Sequence, residues 1–119
     1  MVDILNALDD NLQEAKDLLT GEGEVFFAKW NDENGCYVAN DDEESYCEDC
    51  CPYIRMADDN GDIKSNLVVG VRYNEDIYQI EIMTTESEYT KSDGEWFPLM
   101  YADDISYWYV LERIGEMFE

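Results

Sequence analysis

The chain contains no histidine and only 7 lysines and arginines among its 119 residues. Without histidine it can form neither a Ser-His-Asp nor a Cys-His catalytic arrangement, and it lacks the commonest general base. So few cations also disfavour binding of a phosphorylated substrate or of nucleic acid, because DNA affinity depends on cationic groups that displace counterions. The sequence therefore predicts neither an enzyme nor a protein that binds nucleic acid directly.

The sequence also lacks the segments that would direct it to a membrane. No apolar run approaches the length of about 18–20 residues that is needed to cross a bilayer. Residues 1–12 contain no basic residue, so they do not predict a signal or transit peptide. An anionic membrane surface would repel so acidic a protein. We therefore expect a cytoplasmic protein with no membrane partner.

What the chain has in excess is negative charge. It carries 30 aspartates and glutamates and a formal net charge of −23, whereas a charge of about 2–8 keeps a small domain in solution. Adaptation to high salt is one explanation, but four cysteines and abundant tyrosine fit it poorly. Because like charges destabilise a compact fold, the excess favours a function for the charge itself.

The remaining composition predicts a folded domain rather than an acidic disordered tail. Apolar residues make up 45% of the chain, with nine tyrosines, four phenylalanines, three tryptophans and only two prolines. Disordered acidic segments are poor in aromatic residues. We expect one domain over residues 1–119, a length typical of a single core.

Residues 3–20 are predicted to form an amphipathic helix, because apolar residues recur there every three or four positions. Asp3 can cap its N-terminus, and Gly21 and Gly23 are expected to end it. The apolar stripe consists of Ile4, Leu5, Leu8, Leu12, Ala15, Leu18 and Leu19. The opposite face is a negative ridge of Asp9, Asp10, Gln13, Glu14 and Asp17.

Residues 103–118 are predicted to form a second helix, capped by Asp103 or Asp104. Its apolar residues surround much of the helix, so we expect it to pack deeply onto a sheet. They are Ile105, Tyr107, Trp108, Val110, Leu111, Ile114 and Phe118.

Between the helices, the pattern predicts antiparallel strands. Asn34-Gly35 is a strong turn signal, so residues 24–30 and 36–39 should pair as a hairpin around residues 31–35. The clearest hairpin joins 66–73 to 77–84. The turn of that hairpin is assigned to Asn74, Glu75 and Asp76.

In the second strand of that hairpin, Tyr78, Ile80 and Ile82 are expected to share one face, with Gln79 and Glu81 on the other. Such alternation is typical of a sheet with one covered face. Residues 86–90 and 95–100 extend the sheet around a turn at Asp93-Gly94. The predicted fold is α+β: an N-terminal helix, an antiparallel sheet of about four to six strands and a C-terminal helix packed on the sheet.

Residues 40–62 are the least regular part of the sequence and are interpreted as a long acidic loop, with a short strand or turn at 53–56. Nine of these residues are acidic and one, Arg55, is basic. Loops of this length in compact domains are often functional.

The four cysteines are a weak candidate for a zinc site; they are Cys36, Cys47, Cys50 and Cys51. Structural zinc sites usually use two separated Cys-x-x-Cys steps, whereas this chain has one, so buried thiols are the favoured interpretation. The triplet Asp58, Asn60 and Asp62 has the alternating oxygen ligands of a calcium loop. It fails the EF-hand pattern because Ile63 occupies the glycine position and no closing glutamate follows. We predict no cofactor.

The charge and the two acidic segments favour a DNA mimic. Duplex DNA presents one negative charge per about 1.7 Å of axis, and carboxylates on a rigid scaffold can imitate it. They would attract a basic protein surface and occlude it, while Tyr46 and Tyr53 could act as anchoring contacts. The predicted partner-binding residues are Asp9, Asp10, Glu14, Asp17, Asp41, Asp42, Glu43, Glu44, Tyr46, Glu48, Asp49, Tyr53, Asp58, Asp59 and Asp62.

In size, charge and lack of catalytic apparatus, the chain resembles the inhibitors of phages and mobile elements that mimic DNA, among them anti-restriction and anti-CRISPR proteins. The resemblance lies in overall character and not in a motif. It implies a host nuclease or CRISPR effector as the target. Two alternatives stay open: an immunity protein that neutralises a nuclease toxin, and a carboxylate-based cation-binding module that uses residues 40–62.

Overall fold

The computed structural model describes residues 2–39, 42–46, 51–57 and 60–117, with side chains placed in 12–38, 51–57 and 60–117. Two helices, α1 (Val2–Glu22) and α2 (Asp104–Met117), flank the strands, so the predicted α+β fold is confirmed. The strands of this described part are β1 (Val25–Phe26), β2 (Ala28–Asn31), β3 (Cys36–Ala39), β4 (Asp42–Tyr46), β5 (Tyr53–Ala57), β6 (Ile63–Asn74), β7 (Gln79–Thr85) and β8 (Trp96–Pro98).

The strands form two antiparallel sheets. In the main sheet of five strands, β6 is the long central strand, with β7 and then β8 beyond one of its edges. Its other edge is shared by β5, opposite residues 63–67, and β1, opposite residues 70–71. The small sheet has the order β2-β3-β4.

The chain changes sheet at Phe27, so the single strand predicted over residues 24–30 is wrong. Phe27 is buried, and its amide donates to the carbonyl of Val69 at 2.9 Å. Val69 lies at a register shift of β6 against β7, where an extra residue increases the local bend. Next to it, a β carbon on Gly70 would lie 2.9 Å from two ring carbons of Phe26, so the aromatic ring requires glycine in this strand.

Helix α1 covers the sheet with the apolar stripe that its sequence predicts. Ala15 and Leu19 are buried and Leu12 packs against the same core. The helix continues through Gly21, which the sequence had assigned as a stop. The amide of Gly23 donates to the carbonyl of Leu19 at 2.8 Å, so Gly23 alone ends the helix.

Helix α2 closes the outer edge of β5. The Arg55 amide donates to the Ser106 hydroxyl at 3.0 Å, and the Asp103 amide donates to the Arg55 carbonyl at 3.1 Å. These bonds satisfy groups that a bare edge strand would expose. Asp103 is the N-cap, since it accepts the Ser106 amide at 2.8 Å. Hydrogen bonds from the Ser106 hydroxyl and amide hold the pKa of the Asp103 carboxyl below its usual value.

The core face of α2 differs in one respect from prediction. Val110, Leu111 and Ile114 are buried as expected, and Tyr107 and Trp108 pack partly against the core. Ile105 is 83% exposed, so its predicted place in the core is wrong. Because Ser106 faces β5, the preceding residue is rotated toward solvent. Phe118 lies outside the described residues.

The β6–β7 hairpin is confirmed, with a longer first strand, a slightly shorter second strand and a later turn than predicted. Its turn consists of residues 75–78, and Tyr78 lies in that turn instead of on the strand face with Ile80 and Ile82. Ile80 and Ile82 are buried. On the opposite face Glu81 is also buried, at 7% exposure, so the expectation of a single covered face is wrong.

The interpretation of residues 40–62 as a loop is wrong for residues 42–46, whereas 51–52 and 60–62 are irregular as expected. Residues 42–46 form β4, which pairs with β3, and the short strand expected at 53–56 is β5. Residues 86–90 form a turn instead of the predicted strand, with the Glu88 carbonyl accepting the Tyr37 amide at 2.8 Å. Of residues 95–100, only β8 joins the sheet, followed by a 3-10 turn at Leu99–Tyr101.

Candidate functional site

The outer side of α1 is a row of carboxylates. Glu14 and Asp17 are exposed, on the side of the helix away from buried Ala15 and Leu19. The Gln13 amide donates to the Asp17 carboxylate at 3.0 Å, one turn apart. Asp9 and Asp10 belong to the same helix. The described members of the predicted ridge therefore lie as the helical period requires.

The mean density of acids along this helix is close to that of phosphates along one strand of DNA. At about 1.5 Å per residue, the segment from Asp9 to Asp17 spans about 12 Å of helix axis. Its four carboxylates give one negative charge per about 3–4 Å, and one strand of duplex DNA gives one per about 3.4 Å. The individual intervals are uneven, at about 1.5, 6 and 4.5 Å along the helix axis, so the likeness to a DNA strand lies in the mean charge density.

A second group of acids meets the end of this helix. An open groove runs between the C-terminus of α1 and the β6–β7 turn, lined by Thr20, Gly23, Glu24, Glu75 and Asp76 among others. Glu24, Glu75 and Asp76 are all exposed. We call the set Glu14, Asp17, Glu24, Glu75 and Asp76 the acidic surface.

Three members of the acidic surface were missed in the sequence analysis. Glu75 and Asp76 were interpreted only as turn residues, and Glu24 as the start of a strand. Their position in one groove depends on α1 packing against β6, a long-range contact that no local pattern encodes. The only signal was the pair of consecutive acids at the tip of the clearest hairpin.

The cations next to the acidic surface are already engaged. Arg72 directs its Nε and Nη2 at the Glu81 carboxylate, each at 2.8 Å, and its guanidinium lies 4.5 Å from the centre of the Trp96 ring. Its Nη1 is 3.5 Å from Glu24. Lys16 lies 5.8 Å from the ring centre of Tyr73. Both cations therefore have contacts within the fold, and Arg72 pairs with one member of the acidic surface, Glu24.

Arg72 is held by a small network on the face of the main sheet that carries Glu81, opposite the face of Ile80 and Ile82. The Asn74 amide also donates to Glu81, at 3.1 Å, so one carboxylate oxygen receives several donors. A carboxylate and an aromatic ring together satisfy the guanidinium by charge-assisted hydrogen bonds and by stacking. The network joins β6, β7 and β8, and Glu24 is the member of the acidic surface that it contacts.

The acids predicted in residues 40–62 are divided among several positions. Asp42, Glu43, Glu44 and Tyr46 lie in β4. Tyr53 is 46% exposed in β5 and Asp62 is exposed just before β6. Predicted residues that lie outside the described part of the chain are Asp41, Glu48, Asp49, Asp58 and Asp59.

Two of the four cysteines proposed as zinc ligands are described. Cys36 in β3 and Cys51 before β5 are both buried thiols. Cys47 and Cys50 lie outside the described residues, as does Asp58 of the calcium-like triplet, whose Asn60 and Asp62 are exposed. Among the residues with described placement, no three acidic, cysteine or histidine side chains converge as a metal site would require.

Within the described ranges, neither helix is long and apolar enough to cross a membrane. Comparison of the chain with protein families, with curated proteins and with solved structures found no match. The acidic surface is therefore the feature from which a function can be inferred.

Proposed function

We propose that the protein is an acidic DNA mimic that binds and occludes the basic nucleic-acid-binding surface of a host defence protein, either a CRISPR effector or a restriction enzyme. The observation that carries the proposal is the acidic surface, in which Glu14 and Asp17 are exposed on α1, and Glu24, Glu75 and Asp76 line the groove between the end of α1 and the β6–β7 turn. These carboxylates are mounted on hydrogen-bonded elements. Such a scaffold supports mimicry of a stiff polyanion better than a tail would.

The mechanism is competitive occlusion. A net charge of −23 steers the protein toward a basic cleft and raises the rate of encounter. The carboxylates then pair with the arginines and lysines that otherwise hold phosphate. The inhibitor needs no catalytic group, because a cleft filled by protein cannot admit DNA. We place this activity in the cytoplasm of the host cell.

The experiment that tests the proposal is capture of the partner by the tagged protein from lysate of a candidate host. We expect to recover a nucleic-acid-binding enzyme at about 50 mM salt and to lose most of it at about 200 mM. Added duplex DNA should compete for it. A partner whose recovery is indifferent to DNA would contradict the mimic, and a nuclease toxin as partner would favour the immunity protein.

A matched pair of variants locates the surface. Glu14→Gln with Asp17→Asn removes two charges from the acidic surface, and Asp104→Asn with Glu112→Gln removes two exposed charges from α2. We expect the first pair to reduce recovery at least fivefold and the second to leave it nearly unchanged. Equal losses would mean that net charge alone, and not this surface, binds the partner.

A further inference from the structure

The β6–β7 turn displays two apolar side chains beside its two acids. In this turn, which we call the hairpin tip (residues 75–78), Glu75 and Asp76 are followed by Ile77 and Tyr78, which are 48% and 75% exposed. Folding gains little from large apolar groups left in water. An exposed aromatic beside carboxylates is typical of a contact surface.

The backbone of Tyr78 strengthens this interpretation. Its φ is +55°, and among the described residues it is the one non-glycine residue with positive φ. A bulky side chain is unfavourable in this left-handed region, where glycine or asparagine is usual. Backbone strain of this kind is concentrated at functional sites, where the side chain is needed despite it.

The surroundings of the tip indicate what it contacts. On one side is the groove of the acidic surface, with Glu24, Glu75 and Asp76. On the other, Tyr78 lines a smaller and more apolar groove with Leu12, Met100 and Tyr107. The carboxylates and the aromatic ring therefore border the tip on different sides, and a planar side chain that lies across the tip would contact both.

We propose that the hairpin tip receives an arginine side chain of the partner, with Glu75 and Asp76 pairing with the guanidinium and the ring of Tyr78 covering its face. The proposal rests on the proposed function, since it names the group that the acidic surface recognises. Guanidinium is planar, binds carboxylates in two-point contacts and stacks on aromatic rings, whereas a lysine ammonium is a compact, strongly hydrated charge.

The protein itself already holds one arginine in this way. Arg72 is paired with Glu81 and stacked over Trp96 at 4.5 Å, so the same combination of groups binds guanidinium within the fold. A second copy of the chain is a poor occupant, because it would place like charges opposite each other.

The test compares binding of a nona-arginine and a nona-lysine peptide by fluorescence anisotropy, with thermal unfolding measured in parallel. For Tyr78→Gly we expect the affinity for the arginine peptide to fall about three- to fivefold, the size of an exposed cation–π contact. The affinity for the lysine peptide should stay unchanged. The Tm should be no lower than that of the wild type, because glycine relieves the left-handed backbone.

Tyr78→Phe, which keeps the ring, should bind both peptides as the wild type does. Equal loss of both peptides, no loss of either, or a lower Tm for Tyr78→Gly would overturn the proposal. If the arginine preference is found but DNA does not reduce recovery of the captured partner, the proposed function is contradicted and the role of the tip is not. If DNA competes for the captured partner but the protein binds the arginine and lysine peptides equally, only the role of the tip is contradicted.

Discussion

The two hairpins β2–β3 and β6–β7 both carry two consecutive acids at their turns but stabilise those turns differently. In β2–β3, the Asn31 side chain accepts the amides of Glu33 and Asn34, and Gly35 takes the left-handed position with φ +65°. Trp30 and Tyr37 pair across the strands with ring centres 5.1 Å apart. Each residue is the one that the turn itself favours.

In β6–β7, the Asn74 side chain likewise accepts the Asp76 amide, but Tyr78 replaces glycine in the left-handed position. The cross-strand pair is ionic, Arg72 with Glu81. The β2–β3 turn therefore has residues that its backbone conformation favours. The β6–β7 turn has Tyr78 in a conformation that is unfavourable for its side chain. If the protein acts as we propose, this difference favours the β6–β7 turn over the β2–β3 turn as the contact with the partner.

The largest expected effect comes from reversing charge at the two turns. We expect Glu75→Lys with Asp76→Lys to weaken partner binding about a hundredfold, because two attractive contacts become repulsive. Asp32→Lys with Glu33→Lys makes the same change of net charge in β2–β3 and should weaken binding less than about threefold. Affinities of both variants for the captured partner would be measured at one salt concentration.

Similar losses for the two reversed turns would mean that the partner responds to net charge. The comparison between the hairpins would then carry no functional meaning. A larger loss for the β2–β3 variant would move the binding surface to the small sheet.

A smaller effect on stability is expected from Glu81→Ala. The change removes the acceptor of Arg72 and Asn74 in a buried position, so we expect the free energy of unfolding to fall by about 1–3 kcal/mol. Asp32→Ala in the other hairpin removes the exposed acceptor of the Trp30 indole and should change it by less than about 0.5 kcal/mol. Urea unfolding of both variants checks the difference.

If Glu81→Ala is as stable as the wild type, the ionic network does not support the β6–β7 hairpin. The hydrophobic pairs of that hairpin would then account for its stability alone.

The smallest effect is expected from Gly35→Ala. A β carbon there would meet no atom within 4 Å, so the change tests the left-handed backbone alone. We expect a loss of about 1 kcal/mol in the free energy of unfolding. The sign is opposite to the one expected for Tyr78→Gly, and urea unfolding of the two variants compares the turns directly. If Gly35→Ala is more stable than the wild type, the two turns do not differ in how well their left-handed residue suits the backbone.

Local sequence patterns predicted the elements that depend on local physics. The periodicity of residues 3–20 and 103–118 predicted both helices, since burial of one helix face follows from spacing alone. Asn34-Gly35 and the alternation after Asp76 predicted the two hairpins. Glu14 and Asp17 were placed on the exposed side of α1 for the same reason.

The features that the sequence left unpredicted depend on contacts between distant residues. The change of sheet at Phe27 depends on Val69, and the burial of Glu81 depends on Arg72 and Trp96. The strand β4 was not predicted, because its acidic side chains have low β-propensity. In the structure, strand pairing outweighs that propensity. The groove that joins Glu24 to Glu75 and Asp76 exists only after α1 packs on the sheet.

The measurement that tests the central claim most directly is a titration of the captured partner into the protein, with and without duplex DNA at fixed salt. If the acidic surface occludes the nucleic-acid site, the apparent Kd should rise in proportion to the DNA concentration, and partner saturated with DNA should not bind. Unchanged affinity for partner saturated with DNA, with a ternary complex formed, would contradict the account.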